Sequence, residues 1–256
     1  MKALNRTITK SLLGLFLAST TVAAFAQTAE TSAPSKLSFN VSADLVSSYV
    51  WRGFTQGTTH GGTPNIQPTA SVTYAGFTLG AWGSGSFDGA IKEIDTYASY
   101  AFNDMFSLTV TDYNWGFTRS YFDYNKNETD HILEGTLAFA GTKSFPLSVS
   151  VNTMFSGADR KYNSDSTKYQ NAFSTYIELA YPIAKNAKLT VGGLYLAEDG
   201  VLNGYAFDKK GFNISNVAIK VSKDLKFTDS FSLPVYGIIG FNPAKEDAYL
   251  VGGITF

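Results

Sequence analysis

The chain has 256 residues, no cysteine, 23 glycines, 20 phenylalanines and 15 tyrosines, and its 20 basic and 21 acidic side chains leave a formal charge of −1. Without thiols it has neither a disulfide framework nor thiolate chemistry, and the slight acidic excess excludes the basic footprint of a nucleic-acid binder. A mean hydropathy close to neutral argues against a bundle of membrane helices, whereas abundant aromatic residues suit a barrel whose strands alternate apolar and polar side chains.

Residues 1–26 read as a cleaved secretory signal. Lys2, Arg6 and Lys10 form a basic end, residues 12–24 are largely apolar, and Ala24-Phe25-Ala26 is a small-x-small cleavage site. Residues 27–36 are polar with one proline and read as a flexible lead. The barrel is expected over residues 37–256.

The first strand is expected over residues 37–52. Leu37, Phe39, Val41, Ala43, Leu45, Tyr49 and Trp51 share one face, and Ser38, Asn40, Ser42, Asp44, Ser48 and Arg52 share the other. Eleven more alternating stretches follow, near 66–75, 77–87, 91–102, 106–117, 131–141, 145–157, 170–182, 187–199, 212–227, 231–242 and 248–256. No segment after the signal has the eighteen apolar residues of a membrane helix. Short turns, such as Ala75-Gly76, alternate with longer links, such as 53–65 and 118–130. Short periplasmic turns opposite longer external loops are the habit of transmembrane barrels. The expectation is therefore all-β: a closed antiparallel transmembrane barrel of about twelve strands, in the outer membrane of a Gram-negative bacterium. In the last stretch Leu250, Gly252, Ile254 and Phe256 share one face. Leu250, Ile254 and Phe256 are the residues that outer-membrane assembly machinery is expected to read.

The first hairpins carry more than alternation. The run Ser48-Tyr49-Val50-Trp51-Arg52-Gly53-Phe54-Thr55-Gln56 is followed by Gly76-Phe77-Thr78-Leu79-Gly80-Ala81-Trp82-Gly83-Ser84, and then by Glu93, Asp95 and Tyr97. This resembles a family of conserved hypothetical outer-membrane proteins of proteobacteria named for a Gly-Cys-Trp signature. Its members show an S-x-Y-x-x-R-G-x-S/T-Q segment, a G-x-x-x-G-x-W-x-S segment and an acidic strand. The resemblance is good over residues 44–100, and Ala81 stands where the family's name implies cysteine. It implies a barrel in the outer membrane and names no substrate.

Alternation points Asp44, Arg52, Glu93, Asp95, Glu134, Glu178 and Lys220 inward, as pore-lining candidates in which acids outnumber bases. Such a lumen would favour cations or neutral hydroxylated solutes; alternatively the charges pair and fill the interior. For Arg52, beside Gly53, a structural pair with Glu93 or Asp95 is favoured over a solute contact. Asp112 breaks the pattern: strict alternation turns it outward with Phe106, Leu108 and Val110. A one-residue bulge over 110–112 would bring it inward and turn Tyr113 and Trp115 out; alternatively the strand has already left the membrane there, and Asp112 meets water and needs no correction. Tyr49, Trp51, Tyr113 and Trp115 are then expected in the external aromatic girdle. The two histidines, His60 and His131, lack a serine in nucleophile context and read as loop residues, and the Asn127-Glu128-Thr129 sequon carries no weight. No enzyme activity, metal or cofactor is expected. The function expected is a narrow porin-like channel for passive diffusion of small hydrophilic solutes with mild cation preference. The alternative is a plugged barrel whose loops bind a surface ligand or serve a secretion partner. Outer-membrane lipids and the assembly machinery are the expected partners.

Overall fold

The structure, a computed structural model, describes residues 37–57, 62–115, 119–125, 128–162, 169–196 and 211–256. The signal over 1–26, the lead over 27–36, His60 and Asn127 lie outside them. The described residues form strands, turns and loops, with no helix. Twelve strands make the wall: β1 (Ser38–Val46), β4 (Asn65–Tyr74), β5 (Phe77–Ser86), β6 (Lys92–Ala101), β7 (Phe106–Tyr113), β8 (Ile132–Phe139), β9 (Ser148–Gly157), β12 (Thr175–Ala184), β13 (Ala187–Leu196), β14 (Gly211–Lys226), β15 (Ser232–Asn242) and β16 (Asp247–Thr255). Each pairs antiparallel with the next, and β16 closes on β1 through Asp44 opposite Thr255 and Val46 opposite Gly253. Closure leaves no sheet edge open. Two short hairpins, β2 (Val50–Trp51) with β3 (Phe54–Thr55) and β10 (Arg160–Tyr162) with β11 (Tyr169–Asn171), lie outside the wall's order. The connections after β1, β7 and β9 leave one end of the barrel, its long-loop end, and the turns after β4, β6, β12 and β14 leave the other, its short-turn end, together with the link over 140–147.

The barrel is polar inside and apolar outside. Buried polar groups include Asn65, Gln67, Thr109, Thr111, Thr136, Asn152 and Asn216, whereas Val41, Leu79, Leu108, Leu137, Leu179, Ile239 and Leu250 are exposed. The outer face is banded. Aliphatic side chains occupy its middle. Tyr74, Phe77, Tyr100, Phe102, Phe106 and Phe256 circle the short-turn end, and Phe87, Phe122, Tyr195, Phe212 and Phe241 circle the long-loop end. Inside, several tyrosines lie flat over glycines of the neighbouring strand. Tyr97 covers Gly80, Tyr236 covers Gly253 and Tyr249 covers Gly240; a Cβ on any of these glycines would meet the ring at under 2.5 Å. The missing side chain is the space the ring fills.

Three expectations fail for identifiable reasons. First, the opening strand stops at Val46 rather than Arg52, because the chain bends at Ser47 and Ser48. The face parity read from residues 37–45 therefore does not reach Tyr49 and Trp51. Second, β7 has no bulge. Asp112 lies opposite Thr96 on β6 and Leu133 on β8 in continuous ladders, so it faces outward and Tyr113 inward. Bulges occur elsewhere instead, at Phe155 in β9 and Ser215 in β14, where one wall strand gains a residue over its neighbour, with a further register shift between Pro182 and Ala184 of β12. Third, Tyr49, Trp51 and Tyr113 are buried inside, and Trp115 packs against their cluster. None of the four belongs to an external girdle.

Candidate functional site: a hairpin in the barrel mouth

The residues from Ser47 to Gln56 double back at the long-loop end and enter the lumen. Val50 pairs with Thr55 and Trp51 with Phe54, leaving Arg52-Gly53 as a two-residue turn with φ of 54° and 87°. Two successive positive φ values define the tight turn that matches strand twist. Glycine adopts such a value freely; arginine does so at a steric cost. The base is tied by Gln56 N–H donating to the Tyr49 carbonyl at 2.8 Å. Gly53 sits so close to β14 that a Cβ would lie 1.9 Å from the Ser215 carbonyl oxygen. The Ser215 hydroxyl donates to the Arg52 carbonyl at 2.9 Å, and the Asn242 amide donates to the Gly53 carbonyl at 3.1 Å. The β14 bulge thus re-aims Ser215 to receive the hairpin.

Arg52 crosses the lumen to β8. Its Nη2 donates to both carboxylate oxygens of Glu134, each at 2.7 Å, with each side chain only 1% exposed. The Tyr113 hydroxyl also donates to Glu134, at 3.0 Å. The guanidinium carbon lies 4.5 Å from the Trp51 ring centre and 4.8 Å from that of Tyr176. Nε and Nη1 have no hydrogen-bond partner among the described residues. The partner expected for Arg52 was Glu93 or Asp95; it is Glu134. Around the hairpin Tyr49, Trp51 and Phe54 join Ile91, Tyr113, Ile132, Met154, Tyr176, Leu194 and Leu196 in one buried cluster, with Trp82 and Trp115 against it. Each of Tyr49 and Trp51 gains roughly 1.5–3 kcal/mol from that burial.

Glu93 and Asp95 seat the hairpin from β6. Glu93 lies beside Tyr49 and Asp95. Asp95 also accepts from the Asn114 backbone N–H at 3.3 Å. Deeper in the lumen the other charges meet partners. Asp44 accepts from Thr255 at 2.6 Å and Tyr236 at 3.2 Å, and the Lys220 ammonium sits 3.7 Å over the Tyr236 ring. Glu178 accepts from Tyr176 at 2.9 Å. Asp44, Arg52, Glu93, Asp95, Glu134, Glu178 and Lys220 are all buried inside the barrel.

Asp112 stands apart, on the outer wall near the rim. The segment 119–125 folds over it there. His131 Nδ1 lies 2.7 Å from one carboxylate oxygen, and the Tyr124 hydroxyl donates to the other at 2.6 Å. The Tyr124 ring stacks on His131 at 4.2 Å, and His131 Nε2 faces the Tyr121 carbonyl at 2.5 Å. Partial burial and the Asp112 carboxylate hold the Tyr124 hydroxyl above the usual tyrosine range. A bulge was not needed, because a loop supplies the cover. His131, immediately before β8, is accordingly a buried residue rather than a solvated one.

The sequence run noted at the outset is therefore one device. Ser47 to Gln56 make the inward hairpin; Trp82 meets Tyr49 at 5.5 Å; Gly80 makes room for Tyr97; Ser84 bonds Asn65 at 3.2 Å; Glu93 and Asp95 lie against its Tyr49. Sequence reasoning had the residues but missed the inward turn. Its one signal was Arg52-Gly53 at the position of a two-residue hairpin loop. No metal cluster of three or more His, Asp or Glu side chains occurs among the described residues. No curated protein matches the chain. A family pattern matches residues 28–194, more than half the chain and well past the residues that carried the resemblance. The chain belongs to the Gcw_chp family, described as bacterial proteins of unknown function.

Proposed function

We propose that this protein is an outer-membrane β-barrel of a Gram-negative bacterium, exported by residues 1–26, and that it forms a narrow porin-like passage for small hydrophilic solutes. The observation that carries the membrane assignment is the inverted polarity: charged and amide groups inside, an aliphatic belt outside, and aromatic residues banding both ends. An exposed apolar belt of this extent has no place in water, and two aromatic girdles are how transmembrane barrels meet the headgroups. Ten of the twelve wall strands, at 9–16 residues, reach the length a tilted spanning strand needs, and β7 and β8 fall one residue short of it. The outward faces of β16, with Leu250, Ile254 and Phe256, are offered to lipid and to the assembly machinery.

The passage is inferred from the polar inner wall, with Asp44, Glu93, Asp95, Glu134 and Glu178 against Arg52 and Lys220 favouring cations. One observation supports a second reading, a plugged barrel that acts through its loops. All seven of these side chains are shielded from water in this conformation, at 1–7% exposure. Outer-membrane fractionation with heat-modifiable gel migration tests the membrane assignment, and protein soluble in the periplasm without detergent would refute it. Planar-bilayer recording separates the two readings. Discrete, cation-preferring current steps support the passage; their absence leaves the plugged barrel.

A further inference from the structure

We propose that the β2–β3 hairpin is a displaceable plug, and that the pocket around Glu134 is a seat for an organic cation that Arg52 occupies from within the chain. This deepens the passage reading and rests on it.

The seat has the chemistry of a guanidinium or ammonium site. Glu134 supplies a buried carboxylate oriented by the Tyr113 hydroxyl. Tyr176 supplies an aromatic face within cation–π range of the bound charge. Both belong to wall strands and stay in place when the hairpin leaves. Arg52 is attached to the barrel differently: it arrives on a turn that hangs from β1.

The occupant fits imperfectly, which is what makes it displaceable. Arg52 has a left-handed backbone conformation that costs a non-glycine residue energy. Two of its three guanidinium nitrogens are buried without a hydrogen bond, although all of them would be hydrated outside. The polar ties of the tip to the wall are the Glu134 pair and the bonds from Ser215 and Asn242. Opposing departure are the aromatic contacts of Tyr49, Trp51 and Phe54. A solute carrying its own guanidinium or ammonium group would compete for Glu134 and shift the hairpin toward its open position.

The test compares single-channel currents, at equal ionic strength, of wild type and a variant in which residues 48–56 are replaced by a short Gly-Ser linker. A full-length variant, W51A/R52Q, provides the same comparison without shortening the chain. Only heat-modifiable, folded protein is recorded. At least one plug variant is expected to carry several-fold more current than wild type. Millimolar methylguanidinium is expected to block that current, and Glu134→Gln in the same background to remove the block. Folded variants conducting no more than wild type would overturn the plug. A block that Glu134→Gln leaves unchanged, or no block at all, would overturn the seat. Wild-type protein that fails to insert into bilayers would instead refute the membrane reading, which separates that failure from those of the hairpin.

Discussion

Glu134→Gln is the sharpest test of how the hairpin is held. The substitution keeps the shape of the side chain and an acceptor for Tyr113, but removes the charge facing Arg52. The guanidinium, already lacking partners at Nε and Nη1, would then be buried with no counter-charge. Breaking a buried pair from one side costs about 3–5 kcal/mol. In a chain of this size each kcal/mol lowers the melting temperature by about 2–4 °C, so a fall on the order of 10 °C is expected. The assay is denaturation in detergent micelles, followed by the loss of heat-modifiable migration. Two comparisons give the number meaning. Asp229→Asn removes an exposed pair with Lys226, whose N···O distance is also 2.7 Å, and is expected to leave the melting temperature nearly unchanged because water screens it. The double variant R52M/E134L removes both buried charges, and is expected to recover most of the loss, since apolar replacement of a buried pair is often neutral. A single-variant cost no larger than that of Asp229→Asn would refute the reasoning.

Gly253→Ala is expected to destabilise by about 1–3 kcal/mol, because its methyl would overlap the Tyr236 ring; Gly252→Ala, next in sequence but open to the outside, is expected to change little, and equal effects would contradict the tyrosine-over-glycine packing. Gly53→Ala is expected to undock the hairpin, since the turn needs φ of 87° and the Cβ would collide with β14; increased protease cleavage within 48–56 in otherwise folded protein is the check. In the loop between β5 and β6, hydrogen bonds from Ser86, the Ala90 N–H and Thr63 hold the Asp88 carboxyl below its usual value. A depressed acid stabilises its loop above the unfolded value, and that contribution is lost as pH falls through the folded one. Hydrogen exchange at the Ala90 amide is therefore expected to lose protection at acidic pH, and Asp88→Asn to abolish that pH dependence.

The period-two pattern determined most of the architecture without any structure. Twelve stretches were legible because a wall strand with an apolar outer face and a polar inner face must alternate, and residues such as Phe106, Leu108 and Val110 have only one face to choose. The burial of Glu93, Asp95 and Glu134 followed from the same rule. The ring of outer aromatics was legible in principle, but Tyr49 and Trp51 looked equally suitable. What removed them was a bend at Ser47 and Ser48, which carries no alternation signal, and a turn whose stability depends on Ser215, Asn242 and Glu134, far away in the chain. Asp112 shows the same limit from the other side. A local pattern implied that an outward carboxylate needed a register shift, whereas Tyr124 and His131 relieved it by covering the side chain. Parity is a property of one strand and is written in its own residues. The inward hairpin, the cation seat and the capped carboxylate are made by groups that only barrel closure brings together, so the tertiary structure alone decided them.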